Sequence, residues 1–263
     1  MTGSGFLHDH RSADFDPQEP ADVAVVIPTV LRPSLADALR SIFAQSFRGR
    51  VQVLIGVDVP RGDVGLIEQV CAERPSHVRV QVLYPGYSTS VWHGGLYPAS
   101  DGGVLRTVLT TLANARCVAY LDDDNWWHPD HLRLLRPGLD RAAWGFAARW
   151  FVHPVSRRAI CVDRWESVGP GRGIYNERAG GFVDPNCLMI DKLACAGVVP
   201  LWSVPLVGDL KAGSADRSVF AALRAHSTPF EVAEATVFYA VDPGDALHPL
   251  RLSAMGGLFD WAG

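Results

Sequence analysis

The chain has 263 residues, of which 48% are hydrophobic and 20% charged; it is an ordinary globular composition, long enough for one large core or a core with a smaller lobe, and not that of a disordered chain. A formal net charge of −4 at pH 7 and the absence of any Lys/Arg run argue against a nucleic-acid partner, and no stretch of about 18 apolar residues is present to form a transmembrane segment. Five scattered cysteines (Cys71, Cys117, Cys161, Cys187 and Cys195), with no C-x-x-C pair, read as reduced thiols and hence a cytoplasmic protein.

Met1 to Pro20 is polar and lacks the apolar segment of a signal peptide, so residues 1–21 read as a disordered N-terminal tail. Val23-Ala24-Val25-Val26-Ile27, ended by Pro28-Thr29, is apolar on both faces, as suits a strand inside a covered parallel sheet. Pro33-Ser34 open a helix with apolar Leu35, Ala38, Leu39, Ile42 and Phe43 at helical spacing. Val51 to Val57 is a second strand, closed by Asp58 and the turn residues Pro60-Arg61-Gly62-Asp63. A helix over residues 64–72 and a third strand, Val78 to Leu83, complete a β-α-β-α-β alternation, which argues for an α/β fold with a mostly parallel central sheet and flanking helices.

Tyr84 to Gly103 then forms a long loop, of a length that in compact domains is more often functional than filler. The next helix shows an apolar stripe of Leu105, Val108, Leu109, Leu112 and Ala113, with Arg106 off it. A strand from Cys117 to Leu121 runs directly into Asp122-Asp123-Asp124. Three adjacent carboxylates repel one another and are costly to bury unpaired, so the run is either well hydrated or faces a cation. Its position at the carboxyl end of an apolar strand favours the second reading, because open α/β sheets bind ligands along that edge.

Beyond Pro137 the texture changes. Strands are expected at Ala142 to Val152, Ala159 to Arg164, Phe182 to Ile190 and Phe230 to Tyr239, with a Gly-rich segment between Gly169 and Gly181. Ser214-Ala215-Asp216 leads into a helix whose apolar face is Val219, Phe220, Ala222 and Leu223. The division read from this is one domain over 22–240 in two halves, 22–136 and 137–240, and a C-terminal tail over 241–263 that contains His248.

Val25-Val26-Ile27-Pro28-Thr29 with Arg32, Asp58 after the second strand, Arg106, and Leu121-Asp122-Asp123-Asp124-Asn125-Trp126-Trp127-His128-Pro129-Asp130 together resemble a family 2 glycosyltransferase of the GT-A fold. The likeness spans residues 22–136 well and 182–240 loosely. It implies a Rossmann-like sheet and an inverting, metal-dependent transfer of sugar from a nucleotide-diphosphate sugar to a carbohydrate or other hydroxyl acceptor. In that family the acidic run is a D-x-D motif. The resemblance places Asp122 on the ribose or sugar and Asp124 on Mn2+ or Mg2+, with Asp123-Asp124 as the alternative register. Asp58 matches the carboxylate that reads the nucleobase, although Val59-Pro60 stands where the family often has Gly-Ser after paired acids. Thr29 lines the same pocket, and Arg106 takes the place of a phosphate-contacting Arg. Asp216 matches the general base at the start of a late helix, with Ala215 where a second acid is usual; Asp209 in Gly208-Asp209 is the rival. His248 falls where some members place a late His near the metal. Two other functions compete with this one. A nucleotidyltransferase also uses carboxylate-bound metal, but Pro28-Thr29-Val30-Leu31-Arg32 lacks the glycines of its phosphate loop. A non-catalytic nucleotide-sugar-binding module is suggested by Ala215.

Overall fold

The β-branched runs of the first half become the interior of one ten-stranded sheet. The computed structural model describes residues 7–100, 102–205 and 214–256. Strand β1 (Leu7–His10) is followed by β2 (Ala21–Thr29), helix α1 (Leu35–Phe43), β3 (Val51–Val57), α2 (Gly65–Cys71) and β4 (Val78–Leu83). Next come α3 (Gly103–Leu112), β5 (Ala115–Tyr120), the short β6 (Trp126–Trp127) and α4 (His131–Leu135). The second half contributes β7 (Trp144–Val152), β8 (Ala159–Val162), β9 (Gly169–Pro170), α5 (Asn176–Ala179), β10 (Gly181–Phe182) and β11 (Leu188–Asp191). It closes with α6 (Asp216–His226), β12 (Phe230–Ala240) and α7 (His248–Met255).

The spatial order is β1-β4-β3-β2-β5-β11-β7-β12-β6, with β8 paired to β7 and a separate β9-β10 ribbon. Strands β4, β3, β2 and β5 are parallel, and β7 and β12 form a second parallel pair. Antiparallel β11 joins the two blocks, so the two halves share one continuous sheet. Buried Val23, Val25, Ile27, Val53, Ile55, Val80, Val118 and Tyr120 fill the parallel block on both faces, as expected for a sheet covered by helices. Cys71, Cys117, Cys187 and Cys195 are buried, Cys161 is half-buried, and all are free thiols.

Several local expectations need correcting. Leu7–His10, read as tail, is an edge strand antiparallel to β4, tied down by Asp9, which accepts two hydrogen bonds from Arg79. Part of the expected C-terminal tail is the helix α7. On α3, Val108 and Leu112 are exposed while Arg106 is buried, where its guanidinium pairs with the Asp122 carboxylate. The single strand expected over Phe182 to Ile190 is interrupted: the Asp184 carboxylate accepts from the Asn186 backbone N–H and caps a 3-10 turn over Pro185–Cys187.

Candidate active site

Parallel strands present their carboxyl ends together, and this chain puts polar residues at three neighbouring ones. Thr29 ends β2, Asp58 follows β3, and the Asp122-Asp123-Asp124 run follows β5. Immediately after Thr29 the chain turns sharply. Leu31 adopts φ 63°, a left-handed conformation unusual for a branched, buried residue, and its N–H donates to Thr29 Oγ1 at 2.8 Å. The turn aims Arg32 back across the sheet edge, where its guanidinium donates to Asp123 Oδ1 at 2.5 Å and lies 3.5 Å from Asp124 Oδ2. Gly62 packs on this turn: a Cβ there would lie 1.8 Å from the Leu31 carbonyl oxygen.

The three carboxylates are not equivalent. Asp123 points inward, its side chain 2% exposed, and accepts from Thr29 Oγ1 at 2.6 Å as well as from Arg32. Asp122 and Asp124 are 30% and 48% exposed. The outward pair is therefore Asp122 and Asp124, with Asp123 turned in. Asp123, expected among the nucleotide-sugar contacts, ties the Thr29–Arg32 turn to the acidic run through these two bonds. Asp124 accepts from Asn125 Nδ2 at 2.9 Å, and Asn125 Oδ1 accepts from the Ala240 N–H at 2.9 Å, which ties the acidic turn to the end of β12. Desolvation together with repulsion from Asp122 and Asp123 raises the Asp124 carboxyl far above the usual carboxylate range, against the pull of Arg32.

Asp122 is held rigidly. Its Oδ1 accepts from Arg106, and its Oδ2 accepts from Asn186 Nδ2 at 2.9 Å. Its backbone N–H donates to Asn186 Oδ1 at 2.6 Å. Arg106, expected to be a phosphate contact, is buried behind Asp122 with its guanidinium 5.3 Å from the Trp202 ring centre. Arg32, whose side chain is 53% exposed, is the cation presented at the surface of the cluster.

Asp58 accepts from Ser88 Oγ at 2.8 Å and from the Thr89 N–H at 3.0 Å, so it pins the long loop after β4 beside the β3 end. Asp216 is the first residue of α6, and its Oδ1 accepts from Ser214 Oγ and the Arg217 N–H, both at 2.7 Å. Helix α6 packs on the 3-10 turn Val199–Ser203 that carries Trp202, and its Phe220 meets Phe182 edge-on at 6.1 Å. The rival base Asp209 lies outside the described residues. His248 opens α7, which packs through Met255 against Phe151 and Val241.

Hard carboxylate oxygens at Asp122 and Asp124, with Asp124 crowded by two neighbouring carboxylates, fit a small divalent cation. Among the described residues no group of three or more His, Cys, Asp or Glu side chains is arranged to hold an ion. An ion bound through one or two carboxylates takes its remaining ligands from phosphate oxygens and water, the usual habit of Mg2+ at phosphate sites.

Among comparisons with known proteins, no family pattern and no curated sequence matches this chain. Solved structures do. Residues 1–349 of S. aureus TarS in complex with UDP-GlcNAc superpose with a TM-score of 0.60 at 12% identity, covering 85% of this chain and 60% of that one. The mannosyltransferase PcManGT from Pyrobaculum calidifontis, in complex with GDP-Man and Mn2+, gives 0.56 at 14% identity, covering 91% of this chain and 62% of that one. The fold is GT-A. The chain spans about 60% of the length of these similar proteins, and at such identities the likeness is one of architecture. In the GT-A sheet described above, the ends of β2, β3 and β5 and the acidic turn after β5 make one continuous polar edge. Asn186 and Arg32 are the site residues that sequence reasoning did not assign. Arg32 had a signal, since it lies three residues beyond the strand-ending Thr29; Asn186 had none, because it sits in an Asp-Pro-Asn step that reads as part of a strand.

Proposed function

We infer that this chain is an inverting, metal-dependent glycosyltransferase that moves a sugar from a nucleotide-diphosphate sugar to a hydroxyl acceptor. The observation that carries this reading is the convergence of Thr29, Arg32, Asp58, Asp122 and Asp124 at the carboxyl ends of parallel strands, with Asp122 and Asp124 turned outward and Asp123 inward. Support comes from the GT-A architecture, shared with proteins whose structures hold UDP-GlcNAc in one case and GDP-Man with Mn2+ in another.

In this reading the base and ribose lie along Asp58, Thr29 and Asp122, where fixed carboxylates accept N–H and O–H groups. Asp124 would hold the divalent ion, with His248 as the candidate second protein ligand. The ion, when bound, stabilises negative charge on the departing diphosphate as a Lewis acid. Arg32 adds positive charge at the same rim, and Arg106 keeps Asp122 in place from below. The acceptor oxygen forms its bond to the anomeric carbon as the bond from that carbon to the phosphate oxygen breaks on the opposite face. The acceptor proton passes to the Asp216 carboxylate, whose orientation is set by Ser214 and the Arg217 N–H.

The test is a panel of nucleotide-diphosphate sugars incubated with the protein and Mn2+, reading release of nucleoside diphosphate with and without added hydroxyl acceptors. Release from one donor, abolished by chelation and reduced at least a hundredfold by Asp216→Asn with donor binding intact, is the expected result. Normal turnover by Asp216→Asn would contradict the assignment of the base.

A further inference from the structure

Behind the donor edge lies a chain of buried polar contacts that the reading above does not use. Asn186 is fully buried, and its amide has only one orientation compatible with its partners. Oδ1 accepts the Asp122 backbone N–H at 2.6 Å, while Nδ2 donates to Asp122 Oδ2 at 2.9 Å and to Asp184 Oδ1 at 2.7 Å. Turned over, it would set an NH2 against an N–H and an oxygen against two carboxylates. Its own carbonyl accepts from Trp127 Nε1 at 2.9 Å, so the residue is clamped from both sides.

Asp184 in turn accepts from Arg149 at 2.7 Å. The Arg149 guanidinium, buried in β7, spreads its remaining donors over Asp163 at 2.8 Å and Glu166 at 2.9 Å. Glu166 also accepts two hydrogen bonds from Arg251 of α7, at 2.7 and 3.0 Å. A buried ion cluster of this kind is a poor way to gain stability, because desolvation offsets most of its attraction. What it joins is geometric: β7, the segment after β8, Asp184 and α7 meet on one guanidinium and one carboxylate.

We propose that Asn186 is a positioning residue for the donor site, fixing the main chain and carboxylate of Asp122 together, with the Arg149 cluster anchoring it through Asp184. The proposal rests on the glycosyltransferase reading. Through Asn186 the second half of the chain, as far as α7, sets the geometry of a carboxylate contributed by the first half. Supports behind a ligand-binding group change affinity by about tenfold to a hundredfold when removed, as the outer partners of metal ligands do.

The experiment measures Mn2+-dependent binding of UDP and GDP by calorimetry to wild type, Asn186→Ala, Asp122→Ala and the double variant, with melting temperatures recorded throughout. Asn186→Ser serves if the alanine variant does not fold, and Trp144→Phe, which removes a buried hydrogen bond to the Ser227 carbonyl at the far end of β7, controls for a general loss of stability. The expected result is at least tenfold weaker nucleotide binding in Asn186→Ala, near wild-type affinity in Trp144→Phe, and less than a twofold further change when Asn186→Ala is added to Asp122→Ala, since coupled residues are not additive. Unchanged affinity in Asn186→Ala, or an equal loss in both Asp122 backgrounds, overturns the positioning role. If wild type binds neither of these nor any other nucleoside diphosphate, the functional reading falls first and this inference falls with it.

Discussion

Thr29→Val is a near-isosteric change whose effect can be worked from the geometry of the turn after β2. Thr29 Oγ1 donates to the buried Asp123 carboxylate at 2.6 Å and accepts from the Leu31 N–H at 2.8 Å. Valine keeps the β-branched shape of the strand end but removes both bonds. A buried carboxylate deprived of one donor costs about 1.5–3 kcal/mol, and an orphaned buried N–H about 1–3 kcal/mol. The two losses share one turn and are not fully additive, so a net destabilisation of about 3 kcal/mol is expected. For a domain of this size that lowers the melting temperature by roughly 6–12 °C. The left-handed Leu31 loses the bond that holds it, so Arg32 should also lose its alignment on Asp123. Thermal unfolding followed by circular dichroism, with urea titration at 25 °C, checks the value, and Thr29→Ser should recover most of it because the hydroxyl returns. A Thr29→Val melting temperature within about 2 °C of wild type would refute the assignment of Thr29 and Asp123 as the internal brace of the site.

Asp124→Asn takes one charge out of three adjacent carboxylates. In metal-free buffer it should raise the melting temperature by about 2–4 °C, a modest gain because the side chain is half-exposed and solvent screens the repulsion. The same variant should lose Mn2+-dependent nucleotide binding, so stability and function move in opposite directions. His131, fully buried, stacks on Trp127 and bonds to Thr236, and burial pushes its pKa down to about 3. The folded protein therefore keeps His131 neutral while the unfolded chain protonates it below pH about 6.5. Stability is lost as pH falls from about 6.5 towards about 3, at up to about 1.4 kcal/mol per pH unit. Urea titrations of wild type and His131→Asn between pH 7 and 4.5 should show the steeper decline in wild type; parallel slopes would mean that His131 takes up its proton inside the fold.

The first half of the chain was legible because its signals are local. Val23 to Ile27, Val51 to Val57 and Cys117 to Leu121 are apolar on both faces, and each is followed at once by Thr29, Asp58 or the Asp122 run. Strand direction alone then brings those residues to one edge. Which carboxylate of the acidic run turns inward was not legible, since it depends on which one meets Arg32 and Thr29, partners about 90 residues away. The Arg149 cluster was hidden for a similar reason. Arg149 sits inside an aromatic-rich strand, Asp163 and Glu166 in an irregular segment and Arg251 in what reads as a tail, and no periodicity announces a charge that is buried because its partners are. Helix α3 misled in the same way: hydrophobicity put Arg106 outside, whereas its partner Asp122 draws it in. Leu7–His10 became a strand because β4 offered an open edge, a tertiary fact that a polar, His-containing tetrapeptide does not display.

The most direct test of the central claim is a thermal-shift titration of nucleoside diphosphates and their sugars, with and without Mn2+. A ligand held at a hundred times its dissociation constant stabilises the native state by about 2.7 kcal/mol, which is roughly 5–11 °C for a domain of this size. Such a shift is expected for one nucleobase, dependent on Mn2+ and absent in Asp124→Asn. No shift with any nucleoside diphosphate, or an equal shift in Asp124→Asn with the metal chelated, would contradict it.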